Sequence, residues 1–401
     1  MRVVGIVAEY NPVHNGHIYH LEKSKEVTHS DYTIVIMSGS FTQAGNIAIY
    51  DKFSRANLAI NHGADLVIEL PTIYANSSAE YFAFGAMNIL NKLNIVNSIC
   101  FGSECDNTSL LHGVSDILIQ KEDEIWDSIN DNLKTGISFA DARAKALAKY
   151  LSDEQIELLS KSNNILGLEY IKNLKLLNSK IEPYAIKRES SDFNEIFLNN
   201  NTNNFTSATS IRNSLKNNKF DIVKKYVPSD TYNLISTLKP TFNDDIYNLI
   251  KYKILSTSQD ELKNIFEVTE GLEYKLLKEI NNSNDYEDFA KNIKSKRYQL
   301  SKIKRMLINI LLNITKNDFE YAINNKVGYA HVLACNENGK VLLSEIAKNS
   351  DIDLITSLNN KTMTSISNDT KKYLNYDILA TNIYSAINND KIQKDYTNRL
   401  R

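Results

Sequence analysis

A chain of 401 residues, 42% of them hydrophobic, has room for two or three domains and a sizeable core, and no run of about 18 apolar residues reads as a membrane span. Cys100, Cys105 and Cys335 are too few and too scattered for a disulfide framework or a zinc site, and read as thiols in a reducing cytoplasm. The formal net charge of −2 leaves any nucleic-acid binding to a local patch, and the immediate entry into an apolar run leaves no room for a signal peptide, so a cytoplasmic enzyme is expected.

In chain order, an apolar strand at Val3–Ala8 runs into a Pro-containing turn, and His14-Asn15-Gly16-His17 opens an amphipathic helix near residues 15–27. Further strands are predicted at Tyr32–Met37, Asp65–Leu70, Ser98–Phe101 and Ile181–Ile186, with amphipathic stretches near 51–62, 77–93 and 138–150. This alternation implies an α/β fold: a doubly wound parallel sheet with helices on both faces. Ser77-Ser78-Ala79-Glu80 has the pattern of a capping box for the third helix. Near residue 215 the style changes. From about 219 to 325 strands almost vanish, and helical periodicity with Lys, Asn and Tyr takes over. A strand at Tyr329–Ala334, a helix at Lys340–Lys348 and a closing helix near Asp369–Asn388 follow. The expected organisation is an α/β domain over 1–215 and a mainly helical domain over 216–401, with the Asn-rich tract 199–204 as the boundary loop.

The first strand-helix turn carries the chemistry. A helix N-terminus offers N–H groups and a positive dipole end to an anion. Gly16 lets a base or sugar lie close to the backbone, and His14 and His17, three apart, share one face of the first helical turn. The stretch resembles the HxGH signature of the nucleotidyltransferase superfamily, whose members break ATP between its α and β phosphates. Later segments belong with it. Gly102 follows the fourth strand at the sheet edge where open α/β folds bind ligands; it reads either as a turn glycine or as a point of close approach. Asn163 and Asn164 start a helix and can either cap it or hydrogen-bond a nucleotide. Arg188 comes just after the fifth strand, where a guanidinium suits a phosphate. Thr209 and Arg212 lie at a new helix start that offers a second phosphate grip.

Together these segments resemble the bacterial tRNA(Met) cytidine acetate ligase family over nearly the whole chain. The residues that carry the likeness are Gly5–Pro12 with His14–His17, Met37–Phe41, Asp51–Arg55, Gly63–Pro71, Phe101–Glu104 and Asn163–Tyr170. The resemblance implies a Rossmann-like HxGH domain that condenses acetate with ATP to acetyl-adenylate and diphosphate. Acetyl then passes to N4 of the wobble cytidine, position 34 of elongator tRNA(Met), giving N4-acetylcytidine and AMP. It implies His14 and His17 as catalytic residues, and ATP contacts from Val7, Ala8, Glu9, Tyr10, Asn11, Pro12, Val13, Asn15, Gly16, His20, Gly102, Asn163, Asn164, Arg188, Thr209 and Arg212. One departure stands out: the family pattern continues with Gln-Arg-Gly-Glu-Pro where this chain has Gln43-Ala44-Gly45-Asn46-Ile47.

Acetate is already a nucleophile, so the first step needs charge neutralisation and in-line positioning rather than a strong base. No general base stands out; Lys52, Glu9 and Glu104 are the available candidates. Mg²⁺ commonly accompanies ATP chemistry, yet no carboxylate cluster reads as a metal cage. For tRNA, Lys296, Arg297, Lys304 and Arg305 form a basic entry, with Tyr298 and Lys302, to an apolar helix; the run reads either as an RNA-positioning stripe or as a solvated face. His331 and Cys335 read as packing residues, not ligands. A small-molecule adenylyltransferase and a catalytically weakened RNA-binding homologue are the alternatives, the second motivated by Ala44 and Asn46.

Overall fold

The computed structural model describes residues 1–105, 107–137, 139–187, 205–295, 298–398 and 400. Seven strands form one sheet: β1 (Val3–Ala8), β2 (Tyr32–Ser38), β3 (Leu66–Leu70), β4 (Ser98–Ser103), β5 (Glu182–Lys187), β6 (Ala330–Cys335) and β7 (Leu354–Ile355). Their order is β5-β4-β1-β2-β3-β6-β7, with β1 to β5 all parallel. The predicted strands fall at these positions. Valine and isoleucine runs that are buried on both faces, such as Val3–Ile6 and Ile34–Met37, are what a parallel sheet covered by helices requires.

The helices that bear on the site are α1 (Asn15–Thr28), α2 (Lys52–Asn61), α3 (Ala79–Lys92), α4 (Ser162–Leu176), α5 (Ala208–Lys216), α6 (Leu300–Leu312), α7 (Asn368–Ile387) and α8 (Lys394–Thr397). The expected capping box at the start of α3 does not form. Ser78 is the N-cap but its side chain makes no capping bond, and the Ser77 hydroxyl donates back to Ile73 O at 2.7 Å. A short helix, Thr72–Ala75, ends just before, and one of its buried carbonyls takes the serine instead.

The sheet is mixed rather than wholly parallel. β6 runs antiparallel to β3, with Leu66 opposite Cys335 and Glu69 opposite His331, and β7 pairs parallel to β6. Thus residues after 325 extend the sheet begun by the N-terminal half. From Ala208 to Asn324 the described residues form helices, with one isolated bridge, Ile265 to Thr315. The boundary tract 199–204 lies outside the described residues. Among the described residues no helix is long and apolar enough to cross a membrane.

Candidate active site at the carboxyl end of the first strand

β1 ends in a sharp turn. Tyr10 has φ 49°, the Asn11–Pro12 peptide is cis, and His14 then caps α1. His14 Nδ1 accepts from Gly16 N at 3.1 Å, and His17 Nδ1 accepts from His14 N at 3.3 Å, a reciprocal capping box built from two imidazoles. An imidazole nitrogen that accepts carries no proton, so the proton of each neutral ring sits on Nε2, which becomes the donor. The rings stack at 3.7 Å, and Tyr10 presents its ring against His17 at 5.0 Å. Gly16 makes room for this packing: a Cβ there would lie 3.0 Å from His14 Cε1. Its missing side chain therefore serves the histidine as well as any ligand.

Two later segments close on the turn. Arg212 of α5 donates from Nη1 to Asn11 O at 2.8 Å and from Nη2 to Thr209 Oγ1 at 2.9 Å, so the two expected phosphate grips meet. Asn15, expected at the nucleotide, spends its backbone N–H on Tyr226 O at 3.0 Å and its side-chain amide on Lys225 O at 3.1 Å. Asn11 Oδ1 accepts from Ile49 N at 2.9 Å. Val13, Tyr10 and Pro12 are buried, while Val7, Ala8 and His20 are half-buried along β1 and α1.

Glu9 lies between two guanidiniums. Its Oε1 accepts from Gln43 N at 2.9 Å. Loss of hydration raises its pKa, although the Gln43 N–H, Arg212 and Arg55 oppose that rise. Arg55 is the site residue that sequence reasoning passed over. Fully buried, it donates to Tyr50 O at 2.9 Å, to Glu9 O at 2.5 Å, to Ser38 O at 3.1 Å and to Gly39 O, tying together the carboxyl ends of β1 and β2. An arginine one turn into a helix whose other faces carry Phe53, Ala56 and Ala59 was the available signal.

At the end of β4, Asn164 Oδ1 accepts from Ser103 Oγ at 2.7 Å, Glu104 N at 3.0 Å and Cys105 N at 3.1 Å. Glu104 in turn accepts from Asn163 Nδ2 at 2.6 Å and Asn164 N at 3.0 Å, capping α4. These amides order the loop beside Gly102, and Glu104 is occupied as a cap. Arg188 lies outside the described residues.

Lys52 Nζ contacts Glu69 Oε2 and Asp395 Oδ1, each at 2.7 Å, with all three side chains buried. Burial alone would lower its pKa, but Asp395, Glu69 and Asp377 hold it above the ordinary lysine value. His331 Nδ1 meets Glu69 Oε2 at 2.7 Å. Glu69, His331 and Asp395 bring ligand atoms within 4.8 Å of one another, but the Lys52 ammonium already supplies the cation there. His331 is an interior partner of Glu69.

In the helical half, Arg305 is buried and pairs with Glu267 at 2.9 Å, and Lys304 pairs with Glu287 at 2.9 Å. Both cations are drawn inward to carboxylates rather than presented on an open face. Lys302 lies 4.4 Å from the Tyr298 ring centre; Lys296 and Arg297 lie outside the described residues. The variant loop packs on the same helix. Gly45 has φ 73°, and a Cβ there would lie 2.3 Å from Arg305 N; Asn46 Oδ1 accepts from Asn243 Nδ2 at 2.8 Å and from Lys304 Nζ at 3.4 Å. A cavity of about 680 Å³ lined by Arg2, Ser98 and Glu182 sits at the amino ends of the strands, away from the His14 turn.

A family model described as HIGH Nucleotidyl Transferase matches residues 1–399. A tRNA(Met) cytidine acetate ligase of Clostridium novyi (strain NT) is 42% identical over 395 residues, covering 97% of this chain and 96% of that protein. One from Clostridium perfringens is 40% identical over 405 residues, covering 99% and 98%. Thermotoga maritima TmcAL bound with alpha-thio ATP superposes with a TM-score of 0.90 at 32% identity, over 99% of this chain and 98% of that one.

Proposed function

Since the chain belongs to the HIGH nucleotidyl transferases and, among them, to the tRNA(Met) cytidine acetate ligase family, we propose that it activates acetate with ATP and acetylates N4 of cytidine 34 in elongator tRNA(Met), releasing AMP and diphosphate. The observation that carries this reading is the meeting of the His14–His17 cap with Arg212 and Thr209 at the carboxyl end of β1. There the two Nε2–H donors and the Arg212 guanidinium would meet the charge that develops as diphosphate leaves the α-phosphorus.

Catalysis by these residues is positioning and charge stabilisation. Acetate attacks the α-phosphorus in line, and the bond to the diphosphate oxygen breaks. In the second step cytosine N4 attacks the acetyl carbonyl, AMP leaves, and the nitrogen loses a proton. Of the three candidate bases, Glu104 is committed to capping α4 and Lys52 to holding carboxylates. Glu9, with its raised pKa and its place beside Arg212, is the one poised to take a proton.

The reading makes 1–215 the ATP-binding unit and 216–401 the tRNA-binding unit, the latter also lending β6 and β7 to the sheet. A tRNA substrate and free thiols at Cys100, Cys105 and Cys335 suit the cytoplasm. Mg²⁺ would travel on the phosphates of ATP, since the carboxylate group nearest to a cage is filled by Lys52. Acetate-dependent exchange of labelled diphosphate into ATP, followed by mass spectrometry of tRNA(Met), tests the proposal. Exchange with acetate and a 42 Da gain on cytidine is the expected result, that mass being one acetyl group replacing hydrogen, roughly as covalent bookkeeping gives it. Absence of exchange at high protein concentration would overturn it.

A further inference from the structure

We propose that Asp395, carried by the C-terminal turn, is a positioning residue for the nucleotide crevice and acts through Lys52 and Arg55. The segment around it is a surface tail. Lys391, Ile392, Gln393, Tyr396 and Thr397 are exposed, whereas the Asp395 side chain is 0% exposed. The tail is aimed by two contacts: Gln393 N donates to Asn382 Oδ1 of α7 at 2.7 Å, and Lys394 pairs with Asp390. A carboxylate sunk from a solvated tail into a protein interior loses its hydration, and holds there only against a matching cation. That cation is Lys52.

Lys52 is the first residue of α2, and Asp51 caps the helix through Phe53 N and Ser54 N. One turn on, Arg55 grips the carbonyls of Glu9, Ser38, Gly39 and Tyr50. The first turn of α2 is therefore pinned at one end by Asp395 and Glu69, and at the other holds the strand ends that flank the His14 turn. Without Asp395 the ammonium keeps Glu69 alone, so the helix start, the Arg55 fork and the Glu9 carbonyl lose a fixed reference. A residue some 380 positions away along the chain from the His14 turn thus sets the geometry of the crevice, by the numbering itself, without touching substrate.

The inference rests on the adenylylation reading, and the two can fail separately. If the unaltered protein shows no acetate-dependent exchange, that reading fails, while thermal protection by ATP still reports on the crevice. Asp395→Asn should lower kcat/KM for exchange, or raise the ATP concentration needed for protection, by about tenfold to a hundredfold, the scale of a small misplacement near reacting groups. Lys391→Ala, at an exposed side chain of the tail outside both aiming contacts, should match the wild type. The triple variant Lys52→Met/Glu69→Gln/Asp395→Asn removes the charges of the buried cluster together and separates stability from position; it also serves if the single variant is too unstable to assay. Recovered melting temperature with a persistent defect in kcat/KM, or in ATP protection, supports the proposal. Recovery of both together, or wild-type values in Asp395→Asn, overturns it.

Discussion

The imidazoles of His14 and His17 stack at 3.7 Å while each accepts a backbone N–H of the same turn, His14 from Gly16 and His17 from His14. One residue is thus both helix cap and candidate phosphate donor, and its two roles can be separated. His17→Ala should lower exchange by about 10² to 10³, the scale of losing one preorganised donor, while leaving tRNA binding intact. His14→Ala should do the same and also cost about 1 kcal/mol of stability with the lost cap. His14→Asn should restore the stability but not the exchange. Exchange kinetics alongside urea denaturation reads both, and a His14→Asn protein with full exchange would remove the ring from the chemistry.

The loop that departs from the family pattern depends on Gly45. Its φ of 73° and the 2.3 Å approach of a would-be Cβ to Arg305 N leave no room for alanine. Gly45→Ala is expected to destabilise by about 1 to 3 kcal/mol. Asn46→Glu, which places a carboxylate near Lys304, should shift stability by no more than about 0.5 kcal/mol, because Glu287 already pairs that lysine. Equal urea midpoints for Gly45→Ala and wild type would contradict the packing.

Asn164 is expected to matter as an acceptor for the loop after β4. Asn164→Ala strands the Ser103 hydroxyl donor and Glu104 N and leaves Cys105 N with Ser103 Oγ alone, and should cost about 1 to 3 kcal/mol. The loss should be visible in chemical denaturation with no nucleotide present. A variant as stable as wild type, impaired only in ATP affinity, would instead assign the amide to the ligand.

Asp377 accepts from Thr72 N at 2.7 Å and from Tyr329 Oη at 2.5 Å. Burial, with Glu69 nearby, raises its pKa from 3.8 to about 7 despite Lys52 and Tyr329. A carboxyl that is protonated in the fold and ionised in the unfolded chain stabilises fully below the unfolded pKa, and loses that contribution as pH rises through the folded one. Asp377→Asn should therefore gain on the wild type as pH is raised from about 5 to about 8. A stability difference that stays flat across that window would refute the assignment.

Much of the architecture was legible because hydrophobic periodicity is a local signal. Val3–Ala8 and Tyr32–Met37 announce buried parallel strands by composition alone, and His14–His17 announces a helix start. What escaped depends on partners distant in sequence. Nothing near Arg55 says that it will collect four carbonyls, and nothing near Lys304 or Arg305 says that Glu287 and Glu267 will draw them inward. Asn163 and Asn164 were visible as a helix start, but the loop they organise lies about 60 residues earlier. His331 was correctly read as an interior residue, while its partner Glu69 could come only from the pairing of β3 with β6.

That pairing has a consequence for how the protein is made. During synthesis β3 leaves the ribosome with its outer edge bare, and the strand that covers it, β6, emerges more than 250 residues later by the numbering of the chain. At roughly 5 to 20 residues per second the wait is on the order of tens of seconds. Throughout it, an apolar strand edge is open to any neighbouring chain. The nascent protein is therefore most vulnerable to association while β1 to β5 are already made, and a translational stall in the helical region would release a species that can neither close its own sheet nor bring Asp395 to Lys52.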